Sequence, residues 1–226
     1  MMPLVGVMLG VFSPIAIKKQ LKIILAFGGA YILSITMLHL IPEVFSQSKK
    51  QTSYWVLLGF FLQVVLDLFS NGVEHGHLHV QKQTRIRPFV LIFALAIHAL
   101  LEGAAIGGNF FESHILFQLV LGVGIHEIPA AFTLVVLLKT MNWTKFKVGF
   151  TGIFYSLLVP IGIVLGHYIL PQNPAFVHGL SALLIGTFLH ISTTIIFENS
   201  ENHKLSIQKT IAIALALTVA IMSSSI

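Results

Sequence analysis

Residues 88–109 read PFVLIFALAIHALLEGAAIGGN, and residues 115–138 read ILFQLVLGVGIHEIPAAFTLVVLL. Each stretch exceeds the roughly 20 apolar residues that a helix needs to cross about 30 Å of hydrocarbon. Each also carries ionisable groups at its centre: His98 and Glu102 in the first, His126 and Glu127 in the second. Such groups cost a few kcal/mol apiece at membrane depth, even on lenient insertion scales. They therefore bind something, conduct something or pair with each other.

The rest of the chain has the same character. It is 226 residues long, 56% apolar and only 9% charged, with a mean hydropathy of +0.91. A soluble domain carries about 25% charged residues. The composition predicts an all-α polytopic membrane protein, one domain over residues 1–226. Eight stretches are long and apolar enough to be spans: roughly 1–17, 21–41, 54–73, 88–109, 115–138, 146–170, 175–197 and 207–226, the first the shortest. The N-terminus lacks a basic leader and a small-residue cleavage site, which predicts a retained first span. There is no cysteine, which excludes thiolate metal sites and cysteine nucleophiles.

The net charge of +5 points to topology, not to nucleic acid, because the basic residues fall in short gaps. Lys18, Lys19, Lys22, Lys82, Arg85, Arg87, Lys139, Lys145, Lys147, Lys204 and Lys209 all lie in alternate gaps, on one side. Only Lys49 and Lys50 lie on the other. The positive-inside rule then places the larger group in the cytoplasm and both termini outside. Asn142-Trp143-Thr144 has the form of a glycosylation acceptor but falls on the cytoplasmic side.

His98 and Glu102 are four apart, so they share a helix face. Imidazole nitrogen with carboxylate oxygen suits zinc and other first-row divalent ions. His126 and Glu127 are adjacent and diverge by about 100° on a helix, so they need not reach one ion. His126 can join the shell while Glu127 lines the path or relays protons. A buried His–Glu hydrogen-bond network without metal is the alternative. Pro129 frees the carbonyl of Ile125 beside this pair. The other groups are less constrained. His75, His77 and His79, in a loop at about 74–87, are a loose chelator or a solvated loop. His39 and Glu43, at the outer end of span two, are pathway residues or an interfacial cap. Asp67, four after Gln63, and His190 are pathway residues or ordinary polar contacts between helices. His114, His167, His178 and His203 fall in loops or at span ends and are assigned no role.

Four patterns together resemble the ZIP (Zrt/Irt-like) family of divalent metal transporters. His98-Ala-Leu-Leu-Glu102-Gly103 is similar to the family's fourth-span H-x-x-x-[DE]-G, and His126-Glu127-Ile128-Pro129 to its fifth-span H-E-I-P. His39-Leu-Ile-Pro42-Glu43 resembles the second-span H-x-x-P-E, and Gly186-Thr-Phe-Leu189-His190 a seventh-span segment. The resemblance implies a 3+2+3 helix arrangement with inverted repeats and a metal site midway through the membrane. It implies alternating access that moves zinc, iron or manganese into the cytoplasm, commonly by a homodimer in the plasma (inner) membrane. The metal is cargo, and no prosthetic group is expected.

The chain departs from the family's two-metal pattern. Ala99 stands where many bacterial members have a polar ligand, Ala130 where a bridging carboxylate is usual, and Val159 where a glutamate precedes the sixth-span proline. The expectation is one site built from His98, Glu102 and His126, with Glu127 as a possible fourth ligand. Two other functions compete with transport. A non-transporting metal sensor or scaffold would explain the absent carboxylates. An intramembrane metalloenzyme would need H-E-x-x-H, but position 130 is Ala.

Overall fold

The computed structural model describes residues 2–12, 18–46, 51–70, 72–73, 87–108, 110–170, 173–198 and 206–223. His75, His77, His79, Lys49, Lys50, Lys82, Arg85, Lys204 and His203 lie outside the described residues. Among the described residues the chain is helical, with no strand. Eight segments follow one another. Helix α1 is Pro3–Phe12. Helix α2 begins as Lys18–Ile35, passes through a π-helical turn at Thr36–Leu40 and continues as Ile41–Ser46. Helices α3, α4 and α5 are Thr52–Ser70, Pro88–Gly107 and Ser113–Thr140. Helix α6 is Lys145–Val164 with a π-helical end at Leu165–Ile169, α7 is Pro174–Glu198, and α8 is Ile207–Ser223.

Six of these, α2 to α7, are long and apolar enough to cross a bilayer. The other two expected spans are shorter as described: α8 has 17 residues and α1 has 10. At 1.5 Å per residue α1 covers about 15 Å, roughly half the hydrocarbon depth. Lys139 of α5 closes its end by donating from Nζ to the carbonyls of Gly10 and Val11 at 3.0 and 2.9 Å. Gly10 and Val11 lie in the last described turn of α1, and Pro14, four after Gly10, has no N–H to offer its carbonyl.

Local sequence explains where the helices start and bend. Pro88 sits in the first turn of α4, where its missing N–H is no loss. Thr144 caps α6, its hydroxyl accepting from the Lys147 N–H at 3.4 Å. In α2 the π-helical turn lies just before Pro42, with the Ile41 N–H bonded to the Thr36 carbonyl. A proline ring crowds the carbonyl four residues back, and a widened turn makes room for it.

Polarity is inverted relative to a water-soluble fold. Large apolar side chains such as Phe61, Leu68, Phe93, Phe117, Phe150 and Leu215 face outward, while Gln63, His98, Glu102, His126 and Glu127 are buried. The principal helix pairs are α3 with α7, α4 with α6, α1 with α5, and α2 with α8. One apolar core joins α1, α4, α5 and α6 through Val7, Leu95, Leu134 and Leu158. A second centres on α2, α7 and α8 through Ile32, Phe188 and Ala216.

Glycine brings the paired backbones together. A Cβ on Gly59 would strike the Leu183 carbonyl, and one on Gly186 the Val56 carbonyl, so α3 and α7 touch through reciprocal glycines. Gly103 and Gly107 meet α6 at Val159 and Ile163, while Gly162 and Gly166 meet α4 at Leu100 and Ala104. Without a hydrophobic drive between helices in lipid, such close packing is what holds them.

Replacing Gly186 with alanine is expected to lower the thermal unfolding midpoint of the detergent-solubilised protein. Alanine gains up to about 1 kcal/mol of helix propensity, but its methyl would meet rigid backbone, and overpacking costs about 1–3 kcal/mol. Gly149→Ala, where nothing lies within 4 Å, should not lower the midpoint.

Candidate metal centre

Helices α4 and α5 run past each other with their ionisable residues at the same depth. His98 lies ten residues into α4, about 15 Å at 1.5 Å per residue, and His126 is near the middle of α5. The four-residue spacing on α4 brings His98 Nε2 to 3.3 Å from Glu102 Oε1. From α5, His126 Nε2 lies 3.2 Å from the same oxygen. The two imidazole rings stand edge to face with centroids 5.9 Å apart.

Glu127 also reaches the group, its Oε1 3.9 Å from His98 Nε2. Adjacent residues on α5 therefore straddle the seam with α4: His126 turns to Glu102 and Glu127 to His98. The 100° divergence is absorbed because the partners sit one turn apart on α4. Ligand-capable atoms of His98, Glu102, His126 and Glu127 all lie within 4.8 Å of one another, and all four residues are buried. Tyr155 of α6 lies against the Glu127 carboxylate.

Both histidines are held in one tautomer. His98 Nδ1–H donates to the Gln63 side-chain oxygen at 3.2 Å, and His126 Nδ1–H donates to the Gly122 carbonyl at 3.2 Å. An oxygen acceptor on Nδ1 leaves Nε2 of a neutral ring as a lone-pair donor. Both Nε2 atoms point at carboxylate oxygens. No well-aligned hydrogen bond reaches the oxygens of Glu102 or His126 Nε2, and the Glu127 carboxylate has the Tyr155 hydroxyl beside it. Buried acceptors facing acceptors are strongly unfavourable unless positive charge stands among them.

The donor set fits a divalent cation. Two carboxylates and two neutral imidazoles carry a charge of −2, which one such ion cancels. Donors about 2.0–2.1 Å from a tetrahedral zinc stand about 3.4 Å apart. The contacts to Glu102 match that spacing, and the 3.9 Å contact of Glu127 is slightly open.

The other expected residues are placed elsewhere. Asp67 and His190 form a pair, Oδ2 to Nε2 at 3.8 Å, between α3 and α7, and Phe60 stacks edge-on against His190. His39 lies in the π-helical turn of α2, edge to face with His114 at 6.5 Å. Glu43 is half-buried in the last turns of α2. His178 is near the start of α7, as expected of a span end, and is buried there, with Nε2 2.8 Å from Thr52 Oγ1 of α3. Ala99 and Ala130 are buried. Among the described residues, the His98 group is where three or more possible ligands converge.

Sequence reasoning missed the part played by Gln63 and the Gly122 carbonyl. Gln63 carried a signal, an amide one turn from Asp67 in a largely apolar span. The Gly122 carbonyl carried none, since backbone acceptors have no letter.

A family described as "ZIP Zinc transporter" has a sequence model that matches residues 70–224, which takes in α4 to α8. The chain belongs to the ZIP family. Among ZIP relatives it is 31% identical over 239 aligned residues to "Zinc transporter ZIP3" of Bos taurus, covering 77% of this chain and 76% of that one. It is 30% identical over 148 residues to "Protein zntD" of Dictyostelium discoideum, covering 58% of this chain. It spans only 21% of zntD's length. With "Zinc transporter ZIP1" of Homo sapiens it shares 22% identity over 224 residues, 77% of this chain and 68% of that protein. The ZIP family is one of transporters, not enzymes, which removes the metalloenzyme reading.

The geometry ranks the two carboxylates. Glu102→Gln should weaken zinc binding to the solubilised protein more than Glu127→Gln, since Glu102 lies within 3.3 Å of both imidazoles. Isothermal titration should give a stoichiometry of one, and an equal loss in both variants would contradict the ranking.

Proposed function

We propose that this ZIP protein carries divalent metal, zinc above all, across a membrane toward the cytoplasm, with His98, Glu102, His126 and Glu127 holding the ion midway. The carrying observation is the convergence of ligand-capable atoms from four buried side chains within 4.8 Å of one another. The relatives' names support zinc as cargo. The mixed nitrogen and oxygen ligands also accommodate iron and manganese. The distribution of Lys and Arg supports a cytoplasmic side at the α3–α4, α5–α6 and α7–α8 connections and outward termini. A homodimer in the plasma membrane is part of the same proposal.

The helix pairing supports an inverted repeat. Exchanging α1, α2 and α3 for α6, α7 and α8, and α4 for α5, turns the α2–α8 pair into α7–α3 and the α4–α6 pair into α5–α1. The ligands lie on α4 and α5, in one packed set. Gln63, Asp67 and His190 lie on α3 and α7, in the other. A relative displacement of the two sets would open the site to one side and then the other. Asp67 is one turn beyond Gln63 toward the α3–α4 connection, the side of release.

Absence of the carboxylates at Ala130 and Val159 favours a second reading, a metal sensor on the same fold. Flux separates the two. Proteoliposomes with the wild-type chain should take up zinc, and His98→Ala should fall to background. Equal background uptake in both, with zinc still bound by the wild type, would favour the sensor. Asp67→Asn should slow uptake several-fold while leaving equilibrium zinc affinity within about twofold, because Asp67 pairs with His190 and is not one of the four convergent ligands.

A further inference from the structure

We infer that Gln63 is a positioning residue that sets the metal affinity of the site through His98. This rests on the reading of the four buried residues as a metal cage. Gln63 is fully buried on α3, a helix that contributes no ligand to the group. Its side-chain oxygen accepts from His98 Nδ1–H at 3.2 Å. This bond does three things. It selects the tautomer whose Nε2 lone pair faces Glu102 and Glu127. It fixes the ring about its long axis, so that Nε2 stays 3.3 Å from Glu102. It also ties the ligand helix α4 to α3, whose main partner is α7.

The acceptor is an amide, and that choice has a consequence. A carboxylate acceptor on a metal-binding imidazole raises its basicity and tightens the metal. A neutral amide orients the ring without that added pull. His126 is treated alike, since its acceptor is the neutral Gly122 carbonyl. The cage thus has two charged ligands but two uncharged supports for its imidazoles. A carrier must release its ion as well as hold it, and neutral supports keep the affinity in the range where both occur.

The test is zinc affinity measured by chelator competition on the full chain in phosphatidylcholine nanodiscs, for wild type, Gln63→Leu, Gln63→Glu and His98→Ala. Gln63→Leu, which removes the acceptor, should weaken binding about 10-fold or more. Gln63→Glu, of nearly the same shape, should tighten it by a similar factor and slow zinc uptake in proteoliposomes. A packing role alone would not move affinity in opposite directions. Nitrogen-15 spectra of histidine-labelled, metal-free protein add an independent readout. His98 should show a protonated Nδ1 in wild type and lose that single tautomer in Gln63→Leu.

Unchanged affinity in Gln63→Leu, or a loss in both variants, overturns the inference while the cage stands if His98→Ala abolishes binding. Wild-type affinity in His98→Ala overturns the cage and this inference with it. If Gln63→Leu fails to fold, Gln63→Glu decides alone: tighter binding supports the role of Gln63, and equal or weaker binding refutes it.

Discussion

Two carboxylates buried in the seam between α4 and α5 need two positive charges, and much of this molecule is arranged around that need. Glu102 and Glu127 are buried, and no well-aligned hydrogen bond reaches the Glu102 oxygens. Facing them are the Nε2 atoms of His98 and His126, with the Tyr155 hydroxyl beside Glu127. Protons on those rings, or a divalent ion among all four groups, would each restore neutrality. The acceptors on both Nδ1 atoms are compatible with either state, which is what a site that fills and empties requires. Burial makes the requirement strict, because uncompensated charge in low dielectric is far more costly than in water.

Helix packing delivers the ligands to this point. α4 and α6 approach until glycine carbon meets backbone, and α1 and α5 do the same at Gly6. The two contacts flank the α4–α5 seam and belong to one apolar core. Rigid backing of this kind matters because a donor displaced by a few tenths of an ångström changes metal coordination. The second packed set, α2, α3, α7 and α8, adds the buried Gln63 and the Asp67–His190 pair.

The positions at which the chain departs from the two-metal pattern it resembles lie in apolar surroundings. Ala99 is buried among Leu91, Leu95 and Leu158 in the apolar core, and Val159 packs against it. Apolar surface stands where the family's two-metal pattern has donors. Glu127 instead turns to His98 and Tyr155.

The sequence by itself determined that the chain is helical and membrane-embedded, because composition and span length are one-dimensional properties. It also determined which residues are costly to bury, and the i, i+4 spacing put His98 with Glu102 on one face of α4. Whether Glu127 joins them was not legible. Adjacent residues diverge by about 100°, and only the rotation and depth of α5 against α4 decide that both face the seam. Gln63 was visible as a polar residue in α3 but not as a partner of His98, since 35 positions separate them and no local rule links them. Local pattern names candidates, and interhelical geometry, set here by glycine contacts distant in sequence, decides which of them meet.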